Sequence, residues 1–102
     1  MTPHYYIAEG VRRSVAAREA GIKVIRAILR EPGQPDRVVY VSPDQLHSPK
    51  RSISASDPRY QRAAQGMATA AGRNVMPPIE IEPLGCAGQT GSVPLKDVQL
   101  DP

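Results

Sequence analysis

The spacing of apolar and polar residues changes period several times along the 102 residues, and each change marks an element. "HYYIA" reads as a short strand over 5–8. From Glu9 to Ala20, Val11 and Val15 share one helical face and Gly21 stands where a left-handed C-cap belongs, which predicts a helix over 9–20. "IKVIRAIL" is β-branched and aliphatic on both faces, "REPGQPDR" carries two prolines and a glycine, and "VVYV" is β-branched again. Together they predict a hairpin of strands 22–30 and 37–42, with the first strand central or covered on both sides.

Residues 42–56, "SPDQLHSPKRSISAS", are polar and broken by proline, and predict a long irregular loop. The clearest helix follows over 58–71: Ser56 or Asp57 caps it, Pro58 fits its first turn and Gly72 stops it. Tyr60, Ala64, Met67 and Ala71 form its apolar stripe, opposite Arg59, Arg62, Thr69 and Arg73. In "PPIEIEPL", Ile79 and Ile81 alternate with Glu80 and Glu82, giving a strand at 78–82 that its flanking prolines place at a sheet edge. Residues 83–102 are rich in proline and glycine, with a last strand or extended tail at 93–100.

The stretch "SVAAREAGIKVIRAILREPG" also tests a helix-turn-helix. Ala17 and Gly21 have the spacing of that motif, flanked by Ala20 and Ile22. Its second helix, however, would turn Ala27 and Arg30 inward and Ile28 and Leu29 outward, and Pro32 would stop it after two turns. Helix plus hairpin is the better reading. The expected fold is a single α+β domain over 1–102, two helices packed on a small, mostly antiparallel sheet.

Composition narrows the chemistry. With no Phe, no Trp and four Tyr, the core must be aliphatic and small, and single-strand base stacking loses its usual platforms. Residues 1–75 hold twelve of the thirteen Lys and Arg against six acidic residues, whereas 76–102 hold Lys96 against Glu80, Glu82, Asp97 and Asp101. A polarised, basic surface suits phosphate or an acidic protein. No apolar run is long enough for a bilayer and the N-terminus has no secretory pattern, so the expected location is cytoplasmic.

Catalytic and metal chemistry have little to build on. Cys86 is the single cysteine, and its candidate partners His4 and His47 lie far off in sequence, beside Pro or Ser. An inert thiol is the favoured reading, and a structural zinc would need that thiol, both histidines and carboxylates. Glu80 and Glu82 share a strand face without other signs of an acid/base pair. "GCAGQTG" lacks the Lys-Ser/Thr pair of a P-loop and the three-glycine spacing of a dinucleotide site. No enzyme activity, cofactor or metal is expected.

From Val39 to Leu84 the order is strand "VVYVSPDQL", polar loop with a basic residue, "DP"-started helix and "PPIEIEP". That order resembles the front half of the ParB/sulfiredoxin-like domain, in which a nucleotide-binding turn follows. The family's turn ends in Cys-His-Arg or Gly-x-x-Arg; here "LGCAGQTG" supplies glycines and Cys86, with no His or Arg after them. The resemblance implies a degenerate nucleotide-binding domain, with Arg51 carried over as a loop phosphate contact.

The leading expectation is a small basic module that binds nucleic acid or a nucleoprotein complex through Arg59, Arg62 and Arg73 of the second helix and the Lys50-Arg51 loop. A protein-binding regulator or inhibitor, for example phage- or mobile-element-encoded, is the alternative, with an acidic protein surface as its partner. The oligomeric state is left open.

Overall fold

The computed structural model describes residues 2–69, 77–86 and 88–102. In chain order the elements are β1 (Tyr5–Glu9), α1 (Val11–Glu19), β2 (Ile25–Leu29), β3 (Arg37–Val41), β4 (Leu46–Ser48), β5 (Ser52–Ser54), α2 (Pro58–Thr69), β6 (Ile79–Pro83), β7 (Val93–Pro94) and β8 (Gln99–Asp101). Two short 3-10 turns, Pro43–Gln45 and Leu95–Asp97, precede β4 and β8. Six strands form one sheet in the order β3-β2-β6-β1-β4-β7, and β5 pairs with β8 in a separate two-stranded sheet. Within the larger sheet β3/β2, β6/β1 and β4/β7 are antiparallel, while β2/β6 and β1/β4 are parallel. The domain is therefore α+β with a mostly antiparallel sheet.

Alternation assigns the two sheet faces. Ile7, Ile25, Ala27, Leu29, Val41, Ile79 and Ile81 are buried on the side that carries the helices, where Val11, Val15, Ala17, Tyr60 and Ala63 meet them. On the other face the register sets Arg26 beside Tyr40, Ile28 between Val38 and Glu80, and Tyr6 beside Glu82. Ala16, Ala17 and Ala63 are the small members of this buried core.

The choice between helix-turn-helix and hairpin is decided at Gly21. Ile22 N–H donates to Ala17 O at 3.0 Å and Gly21 N–H to Arg18 O at 3.1 Å, with Gly21 at φ 74°, so α1 closes in a Schellman motif. The chain then enters β2 rather than a second helix, and β2 pairs with β3 from Ile25↔Val41 to Leu29↔Arg37. Between them Pro32 and left-handed Gly33, at φ 75°, occupy the middle of a turn closed by Gln34 N–H to Glu31 O at 3.1 Å.

Five expectations need correction. Helix α1 begins at Val11, not residue 9, because Glu9 closes β1 and Gly10 turns the chain at φ 108°. Strand β2 begins at Ile25, not residue 22, because Gly21 to Val24 carry the chain out of the cap and Val24 is 53% exposed. Strand β6 is central, between β2 and β1, and not at an edge: Pro77 and Pro78 precede the ladder and Pro83 closes it, so no missing donor interrupts its interior. The 42–56 segment is not an irregular loop, since it holds a 3-10 turn, β4 and β5. Ser42 starts that turn with a capping box, its side chain accepting from Asp44 N–H while Gln45 reaches back to its backbone. Finally, 93–100 is divided into β7, a 3-10 turn and β8, because Leu95 turns inward to full burial.

On α2, Tyr60 and Ala63 are buried and Ala64 is half-buried, while Arg59 and Arg62 face outward. The side chains of Met67 and Thr69, and all of Ala71, Gly72 and Arg73, lie outside the described residues. No helix among the described residues is long and apolar enough to cross a membrane.

Candidate functional site: an arginine cleft between two helices

Arg12 and Arg13 of α1 and Arg59 and Arg62 of α2 line one cleft of about 570 Å³, together with Glu9, Gly10, Val11, Ala63 and Pro77. Three local features bring them together. The β1/β6 register shifts between Ile7 and Glu9, a bulge that turns the chain off the sheet. Gly10 then adopts φ 108° at the N-cap of α1, where a Cβ would lie 2.6 Å from Ile79 Cγ2. Val11 and Tyr60 are buried on the inner sides of the two helices, which leaves their neighbouring arginines at the rim.

Asp57 sits at the junction. Its Oδ1 accepts Arg59 backbone N–H at 2.8 Å, capping α2, while its Oδ2 accepts Arg12 Nε at 2.8 Å. The Arg59 backbone hydrogen bond and the Arg12 guanidinium hold its carboxyl down at a pKa of about 2. Arg13 Nη1 donates to the carbonyls of Pro77 at 2.8 Å and Pro78 at 3.2 Å. These contacts fix Arg12 and Arg13 while spending only part of each guanidinium's five donors.

The α2 arginines are less committed. Arg59 is 64% exposed and only skirts Asp57, at 3.5 Å. Arg62 is exposed and has no ion-pair or hydrogen-bond partner among the described residues. Four guanidiniums thus line the cleft with one carboxylate, Glu9, while Asp57 pairs with Arg12 beside it, and the cleft keeps a positive balance. At the N-terminus of α1, Gly10 supplies no side-chain cap and the first turn holds no acidic residue, so nothing in that turn opposes the cationic side chains.

Of the residues expected from sequence, Arg59 and Arg62 are in this cleft and Arg73 lies outside the described residues. Lys50 and Arg51 are exposed but do not line it: they form the β4–β5 turn. There Ser48 Oγ accepts Lys50 N–H at 3.0 Å and Arg51 O accepts Gln99 N–H at 2.9 Å. Sequence reasoning missed Arg12 and Arg13. The adjacent "GVRR" at a helix start was the available signal, but its relation to α2 depends on a contact across 45 residues, Arg12 to Asp57.

Two further groupings were not legible. Glu80 is paired across the β1/β6 register with Glu9 rather than acting with Glu82, and Arg30 bridges it to Asp36, with Arg30 Nε 3.4 Å from Asp36. Its hydrogen bond with Glu9 and its burial push the Glu80 carboxyl above the usual range, against the pull of Arg30. His4 and His47, 43 residues apart, meet at 3.2 Å because β1 and β4 run parallel side by side.

No family model, no curated protein and no solved structure matches this chain.

Proposed function

We propose that this protein is a small polyanion-binding module that holds the phosphate backbone of nucleic acid in the cleft between α1 and α2. The observation that carries the proposal is the convergence of Arg12, Arg13, Arg59 and Arg62 on one concave surface with few opposing carboxylates. Guanidinium is the side-chain group best matched to phosphate, through its fixed fork of donors and permanent charge. Arg12 and Arg13 are pre-positioned by their internal contacts, so less side-chain entropy is lost on binding, and Arg59 and Arg62 close on the ligand. The mode is backbone contact without base reading, consistent with the absence of Phe and Trp.

The test is fluorescence anisotropy with labelled duplex and single-stranded oligonucleotides at low and moderate salt. If the four arginines each neutralise one phosphate, affinity falls roughly a hundredfold between about 50 and 200 mM salt. Arg62→Ala lowers affinity across all sequences and reduces the salt slope by about 1, whereas Lys50→Ala with Arg51→Ala, off the cleft, leaves the slope near wild type. An absence of binding at low salt removes the proposal.

A protein-binding regulator is the second reading, favoured by a different surface. Strand β3 lies at the end of the sheet with Val38 55% and Tyr40 69% exposed, an apolar strand edge suited to a protein contact. The same binding assay separates the two readings, since the regulator has no affinity for polyanions.

A further inference from the structure

At the far end of the sheet from β3, His4 and His47 form a pair that the cleft above does not use. His47 lies in β4, which runs parallel to β1 with Tyr6 opposite His47; His4 stands just before β1 and its carbonyl accepts Leu84 N–H at 3.3 Å. Backbone pairing therefore brings both residues to one place. His47 Nε2 is 3.2 Å from His4 Nδ1, with the rings edge-on at a centroid distance of 5.2 Å.

That separation has a chemical meaning. Two imidazole nitrogens bound to one cation at about 2.0–2.1 Å, with a near-tetrahedral angle between them, lie about 3.3 Å apart. The contact is a ring-to-ring hydrogen bond, one nitrogen donating and the other accepting, so a cation bound between the rings would displace that one shared proton.

Imidazole nitrogen is the donor that suits zinc, nickel and copper. His47 and Cys86 line the same shallow cleft of about 440 Å³, with Gln89, Thr90 and Ser92. Gln89 is buried and organises the turn that carries Cys86: its Oε1 accepts Gly85 N–H at 2.8 Å and Cys86 N–H at 3.3 Å, and its Nε2 donates to Pro83 O at 2.9 Å. The thiol is exposed at that turn. Among the described residues no group of three His, Cys, Asp or Glu side chains is gathered as a metal cluster, so a cation held here would have the two imidazoles as its protein ligands.

We propose that His4 and His47 form a two-imidazole chelate for a divalent transition cation of the zinc, nickel and copper class. The site shares no lining residue with the arginine cleft, and its failure leaves the polyanion reading untouched.

Isothermal titration calorimetry and thermal unfolding of the untagged full chain with zinc chloride test this, a polyhistidine tag being excluded because it binds the same ions. One saturable zinc site is expected, and the unfolding midpoint should rise with the logarithm of zinc concentration. His4→Ala and His47→Ala should each weaken zinc at least tenfold, because a chelate needs both rings. Cys86→Ser should leave the affinity within about twofold. Urea midpoints without zinc show that the variants are folded, and His47→Gln serves if His47→Ala is not. The absence of saturable binding overturns the proposal. Binding that survives unweakened in either histidine variant also overturns it, because a two-ring chelate needs both.

Discussion

The two ends of α1 use the same side chain for opposite purposes. At the C-terminal end Arg18 is 19% exposed, its Nη1 donates to Leu95 O and Val98 O at 2.7 Å each, and its Nη2 meets Glu19 at 2.6 Å. At the N-terminal end Arg12 and Arg13 are held through a few of their donors, and the cleft they share with α2 includes Arg62, which has no partner among the described residues. Position alone does not make an arginine structural or free. What decides is how much of the guanidinium is taken up: Arg18 commits both Nη1 and Nη2, Arg13 only Nη1, to the Pro77 and Pro78 carbonyls, and Arg62 neither among the described residues.

The largest effect that can break this comparison falls on the turn that aims the N-terminal end. Gly10→Ala puts a methyl 2.6 Å from Ile79 Cγ2 and 2.9 Å from its Cβ, at φ 108°, and Ile79 is a buried residue of a central strand that cannot yield freely. The left-handed strain and the overpacking together should cost about 2–4 kcal/mol. Gly33→Ala gives the reference: φ is 75° with nothing within 4 Å of the added Cβ, so only the backbone strain remains. Urea unfolding measures both. Equal losses at Gly10 and Gly33 would show that β6 is not packed beneath the start of α1 as described.

Next comes the structural arginine itself. Arg18→Ala removes the side-chain donor shared by the Leu95 and Val98 carbonyls, leaving Leu95 O only the Val98 N–H at 3.1 Å, and should destabilise the fold by about 1–3 kcal/mol in urea unfolding. Arg18→Lys keeps the charge but not the paired donor geometry and should recover only part of the loss. Arg62→Ala, by contrast, should leave the urea midpoint within about 0.5 kcal/mol. If Arg18→Ala is as mild as Arg62→Ala, the distinction between the two ends of α1 fails.

This distinction marks where the sequence ceases to be informative. Local signals carried the elements: Val11 and Val15 on one helical face, Gly21 as cap, Asp57-Pro58 as a helix start, and the Ile79/Glu80/Ile81/Glu82 alternation all have their structural counterparts. Strands β4 and β5 were missed because three residues are too few to show a period. The placement of β6 was missed because prolines at strand ends and prolines within a strand look alike in a linear reading. The arginine cleft and the His4–His47 pair depend on contacts across 45 and 43 residues, which no local pattern encodes.

The smallest effect concerns the carboxylate that links the two helices, and it sharpens the comparison from the acidic side. The Asp57 pKa is lowered in the folded state to about 2, first by the Arg59 backbone N–H and then by Arg12. Folding therefore favours the ionised form. The stability this contributes is fully present above the unfolded-state pKa of about 3.9, and is lost as pH falls from there through the folded value. Urea midpoints measured between pH 5 and pH 2 should drop, and part of that drop should be absent in Asp57→Asn. Asparagine retains an acceptor for the Arg59 N–H but has no charge to titrate. The same substitution frees the Arg12 guanidinium, which lines the cleft, from its carboxylate, so polyanion affinity at neutral pH should rise modestly while stability falls. Opposite signs in the two measurements are what a carboxylate shared between cap and cleft demands; a parallel fall in both would place Asp57 on the stability side alone and leave Arg12 with it.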